Sequence, residues 1–143
     1  MVDRTLILVK CTAVRDALPI LTMACDAGLR IAKLQHQFWT REKAEAFYAE
    51  HMGRPYAKGL IDSVTGGAGV VAAVLEGEHA IQAWRGLLGP TDPAKARIEA
   101  PDSVRGRFGR ELPDNAAHGS DKRESYLREL AIVFPDELGR LGS

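Results

Sequence analysis

Two short apolar runs constrain the fold of this chain more than any other feature of its sequence. Residues 5–10 (TLILVK) are aliphatic and β-branched, and residues 69–77 (GVVAAVLEG) form a second apolar run between glycines. Both have the length of a strand, and neither alternates apolar with polar residues as a half-exposed strand does. A strand that is apolar on both faces is covered on both sides, so these runs predict buried strands within a sheet.

A helix is expected between the first strand and a weaker strand-like segment. Residues 13–27 have apolar side chains at helical spacing, and Gly28 follows as a stop signal. Proline is tolerated in a first turn, so the helix proper is expected to start near Pro19. Residues 29–39 have weak strand character, because their alternation breaks after Ile31.

Two further segments have the composition of helices. Residues 40–51 begin with Thr40, a favourable N-cap, and carry an acidic residue in the first turn. Residues 78–89 place Ile81 and Trp84 on one apolar face. Strand-like and helix-like segments therefore alternate along the chain.

The last third of the chain begins with an irregular segment. Residues 90–114 contain four prolines and no sustained period, which predicts a functional or disordered loop. Residues 115–119 fit a short strand, and Asp121 and Glu124 stand three apart, as in a capping box that opens a helix ended by Pro135. The order β-α-β-α-β-α-loop-β-α predicts an α/β (α+β) fold, the ferredoxin-like split βαβ sandwich. In that fold a four-stranded antiparallel sheet has helices packed on it.

Length, charge and cysteine content restrict the class of protein. The 143 residues fit one domain, residues 1–143, and the formal net charge of zero gives no overall attraction to nucleic acid or to an anionic membrane. Cys11 and Cys25 lack the spacing of a zinc site or a disulfide framework. The apolar run near the N-terminus is too short for a signal peptide or a membrane span, so a cytoplasmic location is expected.

Several motifs together resemble one known family. They are RTLILVK at the start, FYAEHMGRPYAKGLID in the middle, VVAAVLEGEHAIQAWRGLLGPTDP after it, and then PDSVRGRFG, NAAHGSD and RELAIVFP. The N-x-x-H-G-S-D element follows an R-G-x-F-G arginine loop, an order that chance rarely produces. Along nearly its whole length the chain resembles the nucleoside diphosphate kinases, in particular a divergent branch with a slightly longer loop before the arginine motif.

The resemblance implies an enzyme that moves the γ-phosphoryl group of a nucleoside triphosphate to a nucleoside diphosphate by ping-pong turnover. His118 is then the nucleophile, and a phosphohistidine splits the transfer into two symmetric halves. Imidazole suits this role because its titration lies near physiological pH. Glu129 and Ser120 are implied to orient the ring, and Tyr48 to donate to the phosphoryl group. Taken alone, His118 would be an ordinary surface histidine and Glu129 a solvated helix residue.

The resemblance also implies a nucleotide site with little preference among bases. Stacking on the π-face of a base is tolerant of its identity, and arginine suits bidentate contact with phosphate. Magnesium would be carried by the nucleotide phosphates rather than by protein ligands. Asp121 is the one nearby carboxylate that the resemblance offers for contact with the water molecules around the metal. The implied groups are Lys10, Arg85, Arg105 and Thr91 for phosphate, Asn115 and Lys10 for ribose, and Tyr56 (generally phenylalanine in the family), Leu112 and Leu60 for the base.

Some positions depart from the family's pattern and leave alternatives open. Cys11, Thr12 and Ala13 follow Lys10 where the family usually has Pro-Asp-Ala or Pro-Asp-Gly. This change motivates a second reading, a nucleotide-binding regulatory or assembly protein with weak or no turnover. Nucleic-acid binding through the arginine loop is a third, disfavoured by the net charge. The expected partners are nucleoside tri- and diphosphates and further copies of the chain, as a dimer, tetramer or hexamer, with no membrane.

Overall fold

One antiparallel sheet organises the computed structural model, which describes residues 2–143. Its strands are β1 (Val2–Val9), β2 (Arg30–Gln37), β3 (Val70–Glu78) and β4 (Ala117–Gly119). Their order across the sheet is β2-β3-β1-β4, and each neighbouring pair is antiparallel. The two runs that are apolar on both faces thus form the two central strands. The prediction of a ferredoxin-like sandwich with a four-stranded antiparallel sheet is confirmed.

Helices connect the strands and cover the sheet. Three short 3₁₀ turns supplement them, over Cys11–Asp16, Ala49–His51 and Pro135–Glu137. Within residues 2–143, no helix combines the length and the apolarity that crossing a membrane requires. The helices are α1 (Ala17–Asp26), α2 (Arg41–Phe47), α3 (Ala57–Thr65), α4 (Ala80–Leu88), α5 (Pro93–Glu99), α6 (Val104–Phe108), α7 (Arg123–Val133) and α8 (Leu138–Leu141).

The core lies on both faces of the sheet, which explains why the central strands lack polar alternation. On one face, Leu6 and Leu8 of β1 belong to a buried cluster with side chains of α2, α3 and α7. On the other face, Ile7 and Val9 belong to a second cluster with side chains of α1, α4 and α6. These four side chains of β1 are fully buried. The end of β1 is therefore fixed from both sides, and the residue that follows it is held firmly.

The prediction of an irregular loop over residues 90–114 is wrong. This segment contains α5 and α6, and each helix begins at a side-chain cap. Asp92 Oδ1 accepts a hydrogen bond from Ala94 N at 3.0 Å, and Ser103 Oγ accepts one from Gly106 N at 3.1 Å. Pro93 occupies the first turn of α5, where the missing N–H costs nothing. Pro93 starts a helix, Pro90 and Pro101 precede one and Pro113 precedes β4, so these prolines do not indicate disorder.

Other helix boundaries differ from the sequence-based expectation in smaller ways. The helix expected over 40–51 begins after Thr40, which caps it as predicted, but ends at Phe47 and continues as a 3₁₀ turn. The prediction of a capping box at the start of α7 is wrong, because Asp121 accepts a hydrogen bond from the Ser125 hydroxyl instead of from a backbone amide. α3 was not assigned from the sequence. The expected end of α7 before Pro135 is confirmed.

Candidate active site

The short strand β4 brings His118 beside the end of β1. His118 is paired with Leu8 in the antiparallel register, and Lys10 N donates a hydrogen bond to Ala116 O at 2.8 Å. Ala116 has a φ of 75°, a left-handed conformation that is uncommon for a residue with a side chain. Local strain of this kind occurs often at functional sites. Two residues that are far apart in sequence, Lys10 and His118, therefore lie at one end of the sheet.

A buried carboxylate lies behind the imidazole of His118. His118 Nε2 is 3.1 Å from Glu129 Oε2, although the ring is not aligned for a hydrogen bond. Glu129 is 3% exposed, and its other oxygen accepts a hydrogen bond from Ser120 Oγ at 2.7 Å. Ser120 is itself fixed, because its hydroxyl oxygen accepts a hydrogen bond from Leu6 N at 3.1 Å. Nε2 is thus turned toward a held carboxylate, which leaves Nδ1 as the ring nitrogen for other chemistry.

The front of His118 faces a cleft of about 420 Å³. The cleft is lined largely by basic, aromatic and small side chains, and no carboxylate lines it. Nearly all of the side chains that the resemblance assigned to the nucleotide are brought together there. The lining residues are Lys10, Tyr48, His51, Tyr56, Leu60, Thr91, Arg105, Leu112, Pro113, Asn115, Ala117 and His118.

The two buried cations of the cleft are held by oxygen atoms of the protein. Lys10 Nζ donates to Asn115 Oδ1 at 2.9 Å, and Arg105 donates from Nη1 to Gly89 O at 3.1 Å and from Nη2 to Ala117 O at 3.2 Å. Burial, with a smaller effect of the nearby Arg105 charge, lowers the pKa of Lys10 to about 7. Burial, with a smaller effect of Arg85, lowers the pKa of Arg105 to about 10. An anion bound in this cleft would offset the free-energy cost of burying these two positive charges.

Besides His118 Nε2, two buried polar atoms at the cleft lack a hydrogen-bond partner among residues 2–143. They are the hydroxyl of Tyr48 and Nε of Arg105. Burial and the charge of Glu129 raise the pKa of Tyr48, so its hydroxyl stays protonated and able to donate. Buried polar groups are nearly always paired in folded proteins. Unpaired donors beside two cations indicate a site for a ligand rich in acceptor oxygens.

The outer part of the cleft is an apolar wall with one polar contact. Tyr56 and Leu112 are 47% and 56% exposed, which leaves both free to contact a ligand. His51 Nδ1 and the Tyr56 hydroxyl are 2.9 Å apart, and their ring centroids are 5.5 Å apart. Pro113 packs so closely on α3 that a Cβ added to Gly59 would come within 2.8 Å of Pro113 Cβ. The wall is therefore built by α3 and by the chain before β4.

Sequence reasoning missed His51 and Pro113 as lining residues. It assigned His51 only to the end of a helix, and His51 does end the Ala49–His51 turn. The chain then folds back, so that His51 meets Tyr56. His51 and Tyr56 are five residues apart in the sequence. This spacing has no helical or strand period that would have indicated their contact.

Besides Ser120 and Glu129 behind the ring, two residues assigned by the resemblance lie outside the cleft. Arg85 is exposed on α4 and lines a separate shallow cleft together with Asp121 and Lys122. Asp121 faces Ser125, and the hydrogen bond from that hydroxyl lowers the pKa of its carboxyl. Among residues 2–143, no group of three or more His, Cys, Asp or Glu side chains could hold a metal ion.

Known proteins of one family match this chain over most of its length. The family described as nucleoside diphosphate kinase matches residues 3–138. A nucleoside diphosphate kinase of Rhodococcus opacus strain B4 is 45% identical over 137 residues, which are 94% of this chain and 96% of the relative. The chain belongs to the nucleoside diphosphate kinase family.

Solved structures agree with that assignment. The nucleoside diphosphate kinase of Aquifex aeolicus superposes with a TM-score of 0.88 at 42% identity, covering 94% of this chain and 96% of that one. The Halobacterium salinarum enzyme in complex with CDP superposes with a TM-score of 0.84 at 34% identity, covering 96% and 90%. The predicted family and the prediction that the chain is a phosphotransferase enzyme, a nucleoside diphosphate kinase, are confirmed.

Proposed function

We propose that His118 carries the phosphoryl group between a nucleoside triphosphate and a nucleoside diphosphate, with the cleft described above as the nucleotide site. One observation carries this proposal. The imidazole is held from behind by Glu129 and Ser120 while its other side faces a cationic cleft with unpaired donors. A fixed ring with one free nitrogen in such a cleft is suited to attack on a phosphorus atom.

The reaction then has two half-steps that mirror each other. In the first, the lone pair of His118 Nδ1 forms a bond to the γ-phosphorus, and the bond from that phosphorus to the bridging oxygen breaks, so that the diphosphate leaves with the electron pair. In the second, a terminal oxygen of another nucleoside diphosphate forms a bond to phosphorus and the P–N bond breaks. The ring regains its lone pair, and the enzyme is unchanged after one cycle.

The remaining cleft residues act on the charge and position of the phosphates. Lys10 and Arg105 offset the negative charge of the transferring phosphoryl group. Electrostatic stabilisation of this kind supplies most of the catalysis in phosphoryl transfer. Tyr48 donates from a buried hydroxyl that lies near Ser63. Thr91 supplies a further donor, and Asn115 holds the ribose hydroxyls together with Lys10. Arg85 would have to turn from its exposed position to take part.

The base is proposed to lie between Tyr56 and Leu112, with Leu60 behind. Aromatic stacking contributes about 1–3 kcal/mol per base with little dependence on its identity. Both walls are partly exposed, so purines and pyrimidines can extend toward solvent. Broad base specificity is the expected consequence.

A divalent cation is expected to arrive bound to the nucleotide phosphates and not to side chains of the cleft. Mg²⁺ prefers oxygen ligands, keeps several waters and is commonly bound through substrate phosphates. The cleft offers no carboxylate of its own. When bound, the metal neutralises phosphate charge, and Asp121 lies in the neighbouring cleft as the proposed outer carboxylate.

We also propose that the chain acts as a homo-oligomer. β2 is an edge strand, and Leu34 and Phe38 at and just beyond it are 49% and 69% exposed. Open strand edges with apolar side chains favour association. The choice between dimer, tetramer and hexamer, and the cytoplasmic location, stay predictions from the sequence.

Label transfer tests the proposed function. The protein is incubated with γ-labelled ATP and magnesium and separated from nucleotide, and CDP is then added. We expect label on the wild-type protein that moves to CTP, and none on His118→Asn. His79→Asn is the matched control, because His79 is exposed and left-handed, a conformation that asparagine tolerates. Binding of nucleoside diphosphate with no label and no exchange would instead select the regulatory protein without turnover.

A further inference from the structure

The chain segment that forms one wall of the cleft is tied to the protein at four places. This segment, residues 110–115, is called the wall loop, and it carries Leu112 and Asn115. Lys10 Nζ donates to Asn115 Oδ1 at 2.9 Å and lies 3.4 Å from Pro113 O. Pro113 packs on Gly59 of α3. The third tie is a hydrogen bond from Asn115 Nδ2 to Thr91 O at 3.1 Å. The fourth is a hydrogen bond from the Thr12 hydroxyl to Asp114 Oδ1.

Asp114 organises the turn within the wall loop. Its carbonyl oxygen accepts hydrogen bonds from Arg110 N at 2.9 Å and from Glu111 N at 3.3 Å. Its carboxylate is 3.8 Å from Arg110 Nε, but the Arg110 side chain is 70% exposed. Exposed ion pairs contribute little to stability. The contact with Thr12 is therefore the one through which the Asp114 side chain joins the loop to a different part of the fold.

Thr12 is well placed to anchor a loop. It lies in the Cys11–Asp16 turn directly after Lys10, where Ala13 N donates to Lys10 O at 2.9 Å. Its neighbours Cys11 and Ala13 are buried, so the turn is fixed to the core. Thr12 itself is exposed and does not line the cleft. It can be altered without removing any group that would touch a nucleotide.

We propose that Thr12 is a positioning residue for nucleotide binding, acting through Asp114 to fix the wall loop and thereby Leu112 and Asn115. This inference rests on the proposed function and deepens it. It also assigns a role to a position where the chain departs from its family's usual Pro-Asp pattern. The hydroxyl is the active feature, so Thr12→Ser keeps the role and Thr12→Val, which has nearly the same shape, loses it.

Two measurements on the full chain test the inference. The first is amide hydrogen exchange of Arg110 and Glu111 in the ligand-free protein, which reports the turn of the wall loop directly. We expect faster exchange in Thr12→Val and wild-type exchange in Thr12→Ser. Thr22→Val is the matched control, because Thr22 is exposed on α1, away from the cleft.

The second measurement is the affinity for ADP by titration calorimetry. The Thr12–Asp114 hydrogen bond is exposed and belongs at the weak end of the range for hydrogen bonds, so the Kd of Thr12→Val should rise about two-fold. Thr12→Ser and Thr22→Val should bind as wild type does. If Thr12 acts through the wall loop, Thr12→Val should raise the Kd less in a Leu112→Ala background than in the wild-type background. The effects of coupled residues are not additive.

The outcomes separate this inference from the proposed function. A wild-type chain that binds ADP, together with Thr12→Val that binds it equally well or has unchanged exchange, overturns the positioning role alone. Failure of Thr12→Ser to restore affinity overturns it as well, since the hydroxyl would not be the cause. A wild-type chain that neither binds ADP nor accepts label overturns the proposed function and the positioning role together.

Discussion

Replacing Glu129 by glutamine should slow phosphorylation of His118 while leaving the fold in place. Glu129 is 3% exposed, and its Oε2 lies 3.1 Å from His118 Nε2. Glutamine has nearly the same shape and retains an oxygen that accepts from Ser120 Oγ, which is now 2.7 Å from Glu129 Oε1. The change therefore removes one negative charge behind the ring, together with the 3.9 Å ion pair between Glu129 Oε2 and Arg128 Nη2.

The size of the effect follows from the loss of a charged partner. When Nδ1 bonds to phosphorus, the ring gains positive character, and the proton on Nε2 can then be shared with the carboxylate. Hydrogen bonds to charged groups contribute about 1.5–3 kcal/mol. If this interaction is made only as the ring becomes charged, its loss slows the step roughly 10- to 150-fold, since about 1.4 kcal/mol corresponds to a factor of ten.

Rapid-quench labelling under single-turnover conditions measures this step. The rate of phosphoryl transfer from γ-labelled ATP to the protein is compared among wild type, Glu129→Gln and Glu124→Gln. Glu124 is exposed at the start of the same helix and serves as the matched control. A Glu129→Gln chain that is folded and labels as fast as wild type would refute the reasoning that the carboxylate supports the charged ring.

Three further predictions follow from the packing of the site. Burial lowers the pKa of Lys10 from 10.5 to about 7. Between these pH values the unfolded chain binds more protons than the folded chain, so the free energy of unfolding should rise with pH. Denaturant titrations should show a smaller rise for Lys10→Met than for wild type. Gly59→Ala should displace Pro113 and weaken ADP binding in calorimetry, because the added Cβ would lie 2.8 Å from Pro113 Cβ. Gly119→Ala should lower the free energy of unfolding by about 1–3 kcal/mol, because its Cβ would collide with the buried ring of Trp84.

The sequence was sufficient for the parts of the fold that depend on local pattern. The apolar run at 5–10 predicts a central strand, because a strand buried on both faces does not alternate apolar with polar residues. In the structure, β1 does lie between two core clusters. α5 and α6 were missed although Asp92 and Ser103, both good caps, were present in the sequence. The prolines outweighed them in the prediction, while in the structure Pro93 itself begins a helix.

For the site, motif and geometry supply different information. The N-x-x-H-G-S-D element identified His118 and Ser120, and Glu129 required the resemblance, since nothing in the helix pattern distinguishes it from a solvated residue. His51 joins the cleft only because the chain reverses before Tyr56. Thr12 reaches Asp114 across 102 positions of the sequence. Contacts of this kind depend on the arrangement of whole elements, which local pattern does not contain.

Mass spectrometry of the ATP-treated protein tests the central claim most directly. The intact chain is exposed to excess ATP and magnesium without acceptor, digested at neutral to alkaline pH to preserve a P–N bond, and fragmented to locate added phosphate. We predict one phosphate, on the imidazole of His118, lost on addition of a nucleoside diphosphate. An unmodified His118 in a folded protein that binds ATP would contradict the account.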